Sequence, residues 1–522
     1  MGMDRRRLLV EFTAAATAAA CGLPSFLLAR PAAAEPAAFS FDALTDRMRE
    51  LAAAPHDPGK AELPEALSGL SYDQHRAIRF RPEHALWRGE NSNFQVQAFH
   101  PGWLFDRPVR LFAVENGTAH ELHFSSANFE YRAPLEPDRF VGLDLPGVAG
   151  FRLHYPLNRP DYHDELISFL GASYFRALAR DTVYGLSARG LAINTASGRP
   201  EEFPYFTEFY IEHPPADAES ITVCAALDSQ SVTGAYMFAI RPGIETVIDV
   251  TARIFFRQAV ETLGIAPLTG MYLFGENDDF RFDDYRPEVH DCDGLAILRR
   301  NGEQLWRPLH NPQQLALSFF VEESPAGFGL FQRDRAFASY EDPEARYERR
   351  PSVWIEPLHE WGSGGIKLVE IPSDREINDN IVAFWAPDAT PQPGEMIEYV
   401  YRMRWGISPG PDDGLARAVA TRTGVGGVSG EEPPENSRKF VVDFEGGVLP
   451  NLAADAEVEP MINVTNGDLL STVLAPLDKT GRWRLTLDVQ RTTSNPVELR
   501  AQLILASRVI SETWLYQWNT SA

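Results

Sequence analysis

The sequence predicts an all-β fold of stacked sheets, on three observations. The stretch 295-LAILRRNGEQLWRPL-309 sets two alternating apolar runs around Asn301-Gly302, a dipeptide that accepts the positive φ angles of a type I′ turn. Period-two runs recur elsewhere. In 220-SITVCAALDSQSVTGAYMFAIRP-242 two of them flank a polar turn, and in 482-RWRLTLDVQ-490 Trp483, Leu485, Leu487 and Val489 share one face. Helical periodicity is scarce, with one amphipathic segment at 41–54, FDALTDRMRELAAA. Many short strands separated by Gly and Pro favour a sandwich over a parallel sheet covered by helices.

Taken in order, the chain divides as follows. Residues 1–34 combine Arg5, Arg6 and Arg7 with a short Ala-rich stretch that ends in small residues. This is the pattern of an export signal, and the paired arginines before Leu8-Leu9 fit the twin-arginine type. The stretch is too short and too Ala-rich for a good membrane span. Cys21 lacks the Leu-led context of lipid attachment. Residues 35–405 are expected to form a large β-sandwich. The segment 406–415, GISPGPDDGL, breaks the pattern after the strand-like IEYVYRMRW and reads as a linker. Residues 425–439 read as a long polar loop. The remainder, 416–517, has the size and strand spacing of a small immunoglobulin-like β-sandwich.

At 522 residues the chain exceeds one ordinary core. Beyond the first 34 residues, which hold four arginines and two acids, 44 basic side chains face 71 acidic ones, a net charge of −27 against −25 for the whole chain. Such a surface repels nucleic acid and anionic membranes. Cys224 and Cys292 allow one disulfide but neither a disulfide framework nor a cysteine-rich zinc site. No P-loop, G-x-S-x-G, H-E-x-x-H or strand-bound G-x-G-x-x-G occurs.

The densest chemistry lies in 276-ENDDFRFDDYRPEVHDCD-293, where eight side chains are acidic: Glu276, Asp278, Asp279, Asp283, Asp284, Glu288, Asp291 and Asp293. Three readings fit the residues. The segment offers oxygen ligands for a divalent cation, although its spacing is not that of an EF-hand, and no metal site or cofactor is assigned. It equally suits a solvated acidic loop with His290 hydrogen-bonded in the core. A carboxylate beside Phe280, Phe282 and Tyr285 also suits sugar chemistry, because burial and neighbouring acids push carboxyl pKa values apart. A second stretch, 347-YERRPSVWIEPLHEWG-362, places Tyr347, Trp354 and Trp361 near Arg349 and Arg350. Aromatic faces stack on pyranose rings and Arg bonds hydroxyls, but the same tryptophans fit a core.

Eight stretches carry a family resemblance: SFLGASYFRA at 168, YGLSARGLAI at 184, RPEVHDCDGL at 286, NPQQL at 311, RPSVWIEP at 350, IPSDREINDNIVAFWAP at 371, ARAVATRTG at 416 and SETWLYQ at 511. Together they resemble the periplasmic glucan biosynthesis proteins OpgG/OpgD (MdoG/MdoD), in order along nearly the whole chain. The resemblance implies a large β-sandwich with an immunoglobulin-like C-terminal domain. It also implies a periplasmic enzyme acting on β-1,2-glucan with inversion, either an endo-glucanase or a transglycosylase that closes rings. Its implied partners are the glucan chain, a second copy in a homodimer, and a functional link to an inner-membrane glucan synthase. A non-catalytic glucan-binding or assembly role is the alternative.

Residue by residue, the resemblance places the general base at Asp291, in the His-Asp-x-Asp motif, and the general acid at Asp379, in Asp-Asn-Ile-Val. Glu376 and Tyr347 match positions near the acid and on a loop over the cleft. His290, Asp293, Arg349, Trp354 and Trp385 are further substrate-site candidates. The two aspartates stand 88 positions apart. An inverting pair needs its carboxyls about 6.5–9.5 Å apart, or further if waters relay the proton.

Overall fold

The computed structural model describes residues 37–519 apart from 59–62, 279–280, 429, 454 and 478–479. The expected export signal at 1–34 therefore lies outside the described residues. Within them the protein is all-β, as the alternation predicts, with two α-helices. The first, Phe41–Ala52, opens where the Ser40 hydroxyl accepts the Ala43 N–H at 3.1 Å. It buries Leu44 and Met48 in a cluster with Ala235, Phe255 and Cys224. The second, Tyr72–Arg76, is one turn held by a capping box, too short for periodicity to reveal.

Two large sheets, of sixteen and ten strands, dominate the described residues. Their facing side chains form one continuous core. Phe238, Val250 and Ile254 from the larger sheet join Leu153, Phe169 and Leu268 from the smaller one. The strands Ile221–Asp228, Val232–Arg241 and Thr246–Phe256 run antiparallel in sequence order; burial alternates along most of Thr246–Phe256, whereas Cys224, Ala226 and Ala235 are also covered on the other face by the first helix. Such alternation is the period-two pattern of a sheet with one face on a core.

The hairpin around Asn301-Gly302 pairs Gly294–Leu298 with Gln304–Pro308. Its turn differs from expectation. The Gly302 N–H donates to Arg299 O at 3.0 Å and only Gly302, at φ +87°, is left-handed, whereas Asn301 is not. This is a type I turn followed by a glycine bulge, and the three-residue connection removes the need for Asn301 to adopt positive φ. The asparagine instead accepts the Glu303 N–H through its side chain at 3.0 Å.

The described residues pack as one compact unit. At the C-terminal end, Arg417–Val425, Ser437–Glu445, Trp483–Arg491 and Gly467–Pro476 form a four-stranded sheet. The opposing layer, Val458–Thr465, Val497–Leu505 and Thr513–Trp518, continues the large sheet, because Leu305 and Trp306 pair in parallel with Thr513 and Trp514. Phe440, Leu485, Leu487, Val497 and Trp514 fill the space between the layers, and Trp306, Phe331 and Trp354 from the preceding strands complete that core. Cys224 and Cys292 are both buried and unpaired, so no disulfide joins them. Among the described residues no helix is long and apolar enough to cross a membrane.

Candidate active site

Asp291 and Asp379 meet because of one strand register. The strand Leu263–Gly270 pairs with Ile381–Pro387, and Gly270 lies opposite Ile381. This sets residues 379 and 380, which lead into Ile381, beside the segment 271–272. Asn380 locks the arrangement: its side-chain oxygen accepts the Tyr272 N–H at 2.8 Å, and its amide donates to Tyr272 O at 2.8 Å and to Ile371 O at 3.1 Å. On the other side of the same segment, the Asp291 N–H donates to Met271 O at 2.9 Å and Asp291 Oδ1 accepts the Met271 N–H at 2.8 Å. Gly270 permits the approach, since a Cβ there would lie 2.9 Å from Asp291 Oδ1 and 2.5 Å from Cys292 Sγ.

Asp291 is 2% exposed, whereas Asp379 is half-buried. Burial pushes the Asp291 carboxyl above the ordinary carboxylate range; the Arg350 guanidinium, 3.6 Å from Oδ2, opposes this, and the charge of Asp379 adds to it. Arg350 in turn lies over the Tyr347 ring, 4.1 Å from its centroid. The Tyr347 hydroxyl donates to Glu376 Oε1. Burial, and then that hydrogen bond, raise the phenol far above its usual range, so it remains a donor at any working pH. Arg286 completes the wall. Its guanidinium bonds Glu376 Oε2 at 2.9 Å, Asp342 Oδ2 at 2.9 Å and Asp284 at 2.8–3.0 Å, tying three loops together.

The structure thus brings Asp291, Asp379, Tyr347 and Glu376 together and leaves the other candidates elsewhere. Arg349 turns away and donates to Asp181 O at 2.9 and 3.0 Å; its neighbour Arg350 is the one that reaches the acid. Trp354 packs against Phe331 in the C-terminal core, and Trp385 is 0% exposed in the main core beside Trp361. His290 and Asp293 lie on the opposite side of the segment from Asp291. His290 is held by Glu288 at 2.7 Å and Gln332 at 2.8 Å, and Asp293 accepts the Arg333 and Asp334 N–H groups. The strand Val289–His290 ends there and the backbone bends at 291, so Asp293 turns back to the side of His290 instead of following Asp291. Arg286, Arg350 and Asn380 are the participants that sequence reasoning passed over. Arg350 stood in the aromatic stretch already singled out, and Asn380 directly follows the acid.

Two acidic loops gathered on a stacked-sheet frame, with one buried aspartate and one accessible aspartate in electrostatic contact, define an all-β protein with a paired-carboxylate site. The chain belongs to the periplasmic glucan biosynthesis protein family MdoG, whose family model matches residues 39–518. It is similar to glucans biosynthesis protein G of Cereibacter sphaeroides, at 51% identity over 98% of this chain and 97% of that one. The protein of the same name from Ralstonia nicotianae is 45% identical, covering 94% of this chain and 98% of its own. Glucans biosynthesis protein D of Xanthomonas oryzae pv. oryzae is 43% identical over 100% of this chain and 99% of that one.

Proposed function

We propose that this protein is a periplasmic enzyme that acts on β-1,2-glucan backbones with inversion of configuration. The observation that carries the reading is the convergence of Asp291 and Asp379 through the Gly270–Ile381 register. Asp379, the more exposed acid, donates a proton to the leaving glycosidic oxygen. Asp291 accepts a proton from the attacking group on the opposite face of the sugar, the division of labour of an inverting pair. Water as attacking group gives hydrolysis, and a sugar hydroxyl gives transfer, including ring closure. Burial makes Asp291 a stronger base than an ordinary carboxylate, and Arg350 keeps its ionised form accessible. Tyr347, close enough to sense the Asp291 charge, and Glu376 offer a donor and an acceptor for a sugar hydroxyl or a relayed proton.

The sign of the pH dependence follows. A base must be deprotonated to work, and Asp291 holds its proton to higher pH than an isolated aspartate. The acidic limb of kcat/KM is therefore expected above the usual aspartate pKa of about 3.9, with activity rising as pH increases through it. Arg350→Met removes the opposing charge and is expected to move that limb further up. A limb at the ordinary value in both proteins would remove Asp291 from the role of base.

The function itself is tested by mass spectrometry of products after incubation with linear β-1,2-glucan. Shorter linear chains identify an endo-glucanase. Products one water lighter, without a reducing end, identify ring closure. Unchanged glucan that nevertheless binds would replace the enzyme reading with that of an assembly factor.

A further inference from the structure

A second acidic cluster lies on the reverse side of the segment that carries Asp291. Glu276, Glu288 and Asp334 each offer a carboxylate oxygen, and these atoms lie within 4.8 Å of one another. Two Ca–O bonds of about 2.3–2.6 Å span such a separation. The three residues line a pocket with His290, Asp293 and Thr421, among others. Asp293 supplies an independent observation. Its Oδ2 accepts the Arg333 and Asp334 N–H groups at 2.7 and 3.0 Å, but its Oδ1 is sealed from solvent and accepts nothing. A buried carboxylate oxygen without a partner is costly and is normally satisfied by a donor or a cation.

The local charge points the same way. The carboxylates of Glu276, Glu288, Asp293 and Asp334 are answered at close range by Arg422, which pairs with Glu276 at 2.8 Å, and by His290, which bonds Glu288. Arg333 is committed to Glu512 and to the Trp306 ring; the terminal nitrogens of Arg335 bond backbone carbonyls and Ser352, while its charge acts on Asp293 and Asp334. Tyr272 and Tyr340, which also face the cluster, are neutral donors. Both His290 ring nitrogens are already engaged, by Gln332 and Glu288, so the remaining donors are oxygens. Oxygen-only donor sets select hard divalent cations over zinc, copper or nickel.

We propose that Glu276, Glu288, Asp293 and Asp334 form a binding site for one hard divalent cation, calcium in preference to magnesium, on the reverse side of the candidate active-site segment. The site ties together three parts of the chain. Glu288 and Asp293 bracket Asp291 in sequence. Asp334 lies just beyond the strand Gly327–Phe331, and Glu276 accepts the Thr421 N–H from the C-terminal sandwich at 2.6 Å. A bound cation would fix the backbone that aims Asp291 and would join it to that sandwich.

The test uses the full processed chain after EDTA treatment and buffer exchange. Calcium or magnesium is titrated by calorimetry, and thermal melts are recorded beside Asp334→Asn and Glu276→Gln. The expected result is one calcium per chain and a higher Tm with calcium. Both effects should weaken at least tenfold in each variant, and magnesium should bind less tightly. Without calcium, Asp334→Asn is expected to melt at or above the parent, because one like charge has gone. No binding and no Tm shift at millimolar calcium would overturn the proposal. So would an equal response in parent and variants, which would place the ion elsewhere on the acidic surface. Neither readout depends on glucan chemistry.

Discussion

Replacement of either aspartate by asparagine should lower turnover on β-1,2-glucan by roughly 10²–10⁴-fold, the usual contribution of a positioned proton donor or acceptor. Stability should behave differently from activity. Asp291 has its folded-state pKa raised above the unfolded value, so ionising it in place opposes folding at neutral pH. Any stability linked to its proton is present below the unfolded pKa and is lost as pH rises through the folded one. Asp291→Asn removes that ionisation and still offers an oxygen to the Met271 N–H, so its Tm at pH 7 should equal or exceed the parent's. Asp379→Asn should fold normally and retain glucan binding. The pairing of lost turnover with an unchanged or raised Tm separates a chemical role from a structural one. Parental turnover in either variant would end the paired-acid reading.

Trp385→Ala should cost about 3–5 kcal/mol of folding stability, the range for emptying a fully buried aromatic site. Trp385 is 0% exposed on the strand Ile381–Pro387, packed in the main core beside Trp361 and Ile265. Asp379 lies two residues before that strand, so loosening it should also disturb the acid, but only as the fold weakens. In urea the midpoint should fall, while glucan affinity per folded molecule stays near the parent's. Trp385→Phe should lose less, because most of the ring volume remains. The reverse pattern, an unchanged midpoint with weakened glucan affinity, would make Trp385 a sugar-stacking residue after all.

Trp385 and Asp379 lie six residues apart in one motif, and both read as site residues. Only the pairing of the strand tells which one faces the core. The same holds for Arg349 and Arg350: adjacent, chemically identical, and sent in different directions by the turn at Tyr347–Arg349. His290, Asp291 and Asp293 also look like one cluster in the sequence. The backbone divides them, giving Asp291 to one side and the other two to an acidic cavity on the reverse side.

What the sequence determined by itself is the part of the molecule set by local patterning. Period-two burial dictates strands, Asn301-Gly302 dictates a hairpin, the amphipathic run at 41–54 dictates a helix, and the family motifs mark Asp291 and Asp379. These features depend on residues within a few positions of one another, so their physics is written locally. Tertiary structure decided the turn type, the continuation of the large sheet into the C-terminal sandwich, and above all the meeting of the aspartates. That meeting depends on Gly270 lying opposite Ile381 and on Asn380 clamping Tyr272. Register between strands more than a hundred residues apart is fixed by the burial of whole sheet faces, because a slip of one residue would turn every core side chain outward. No local pattern carries that information, so only the packed core could bring the two carboxylates near each other.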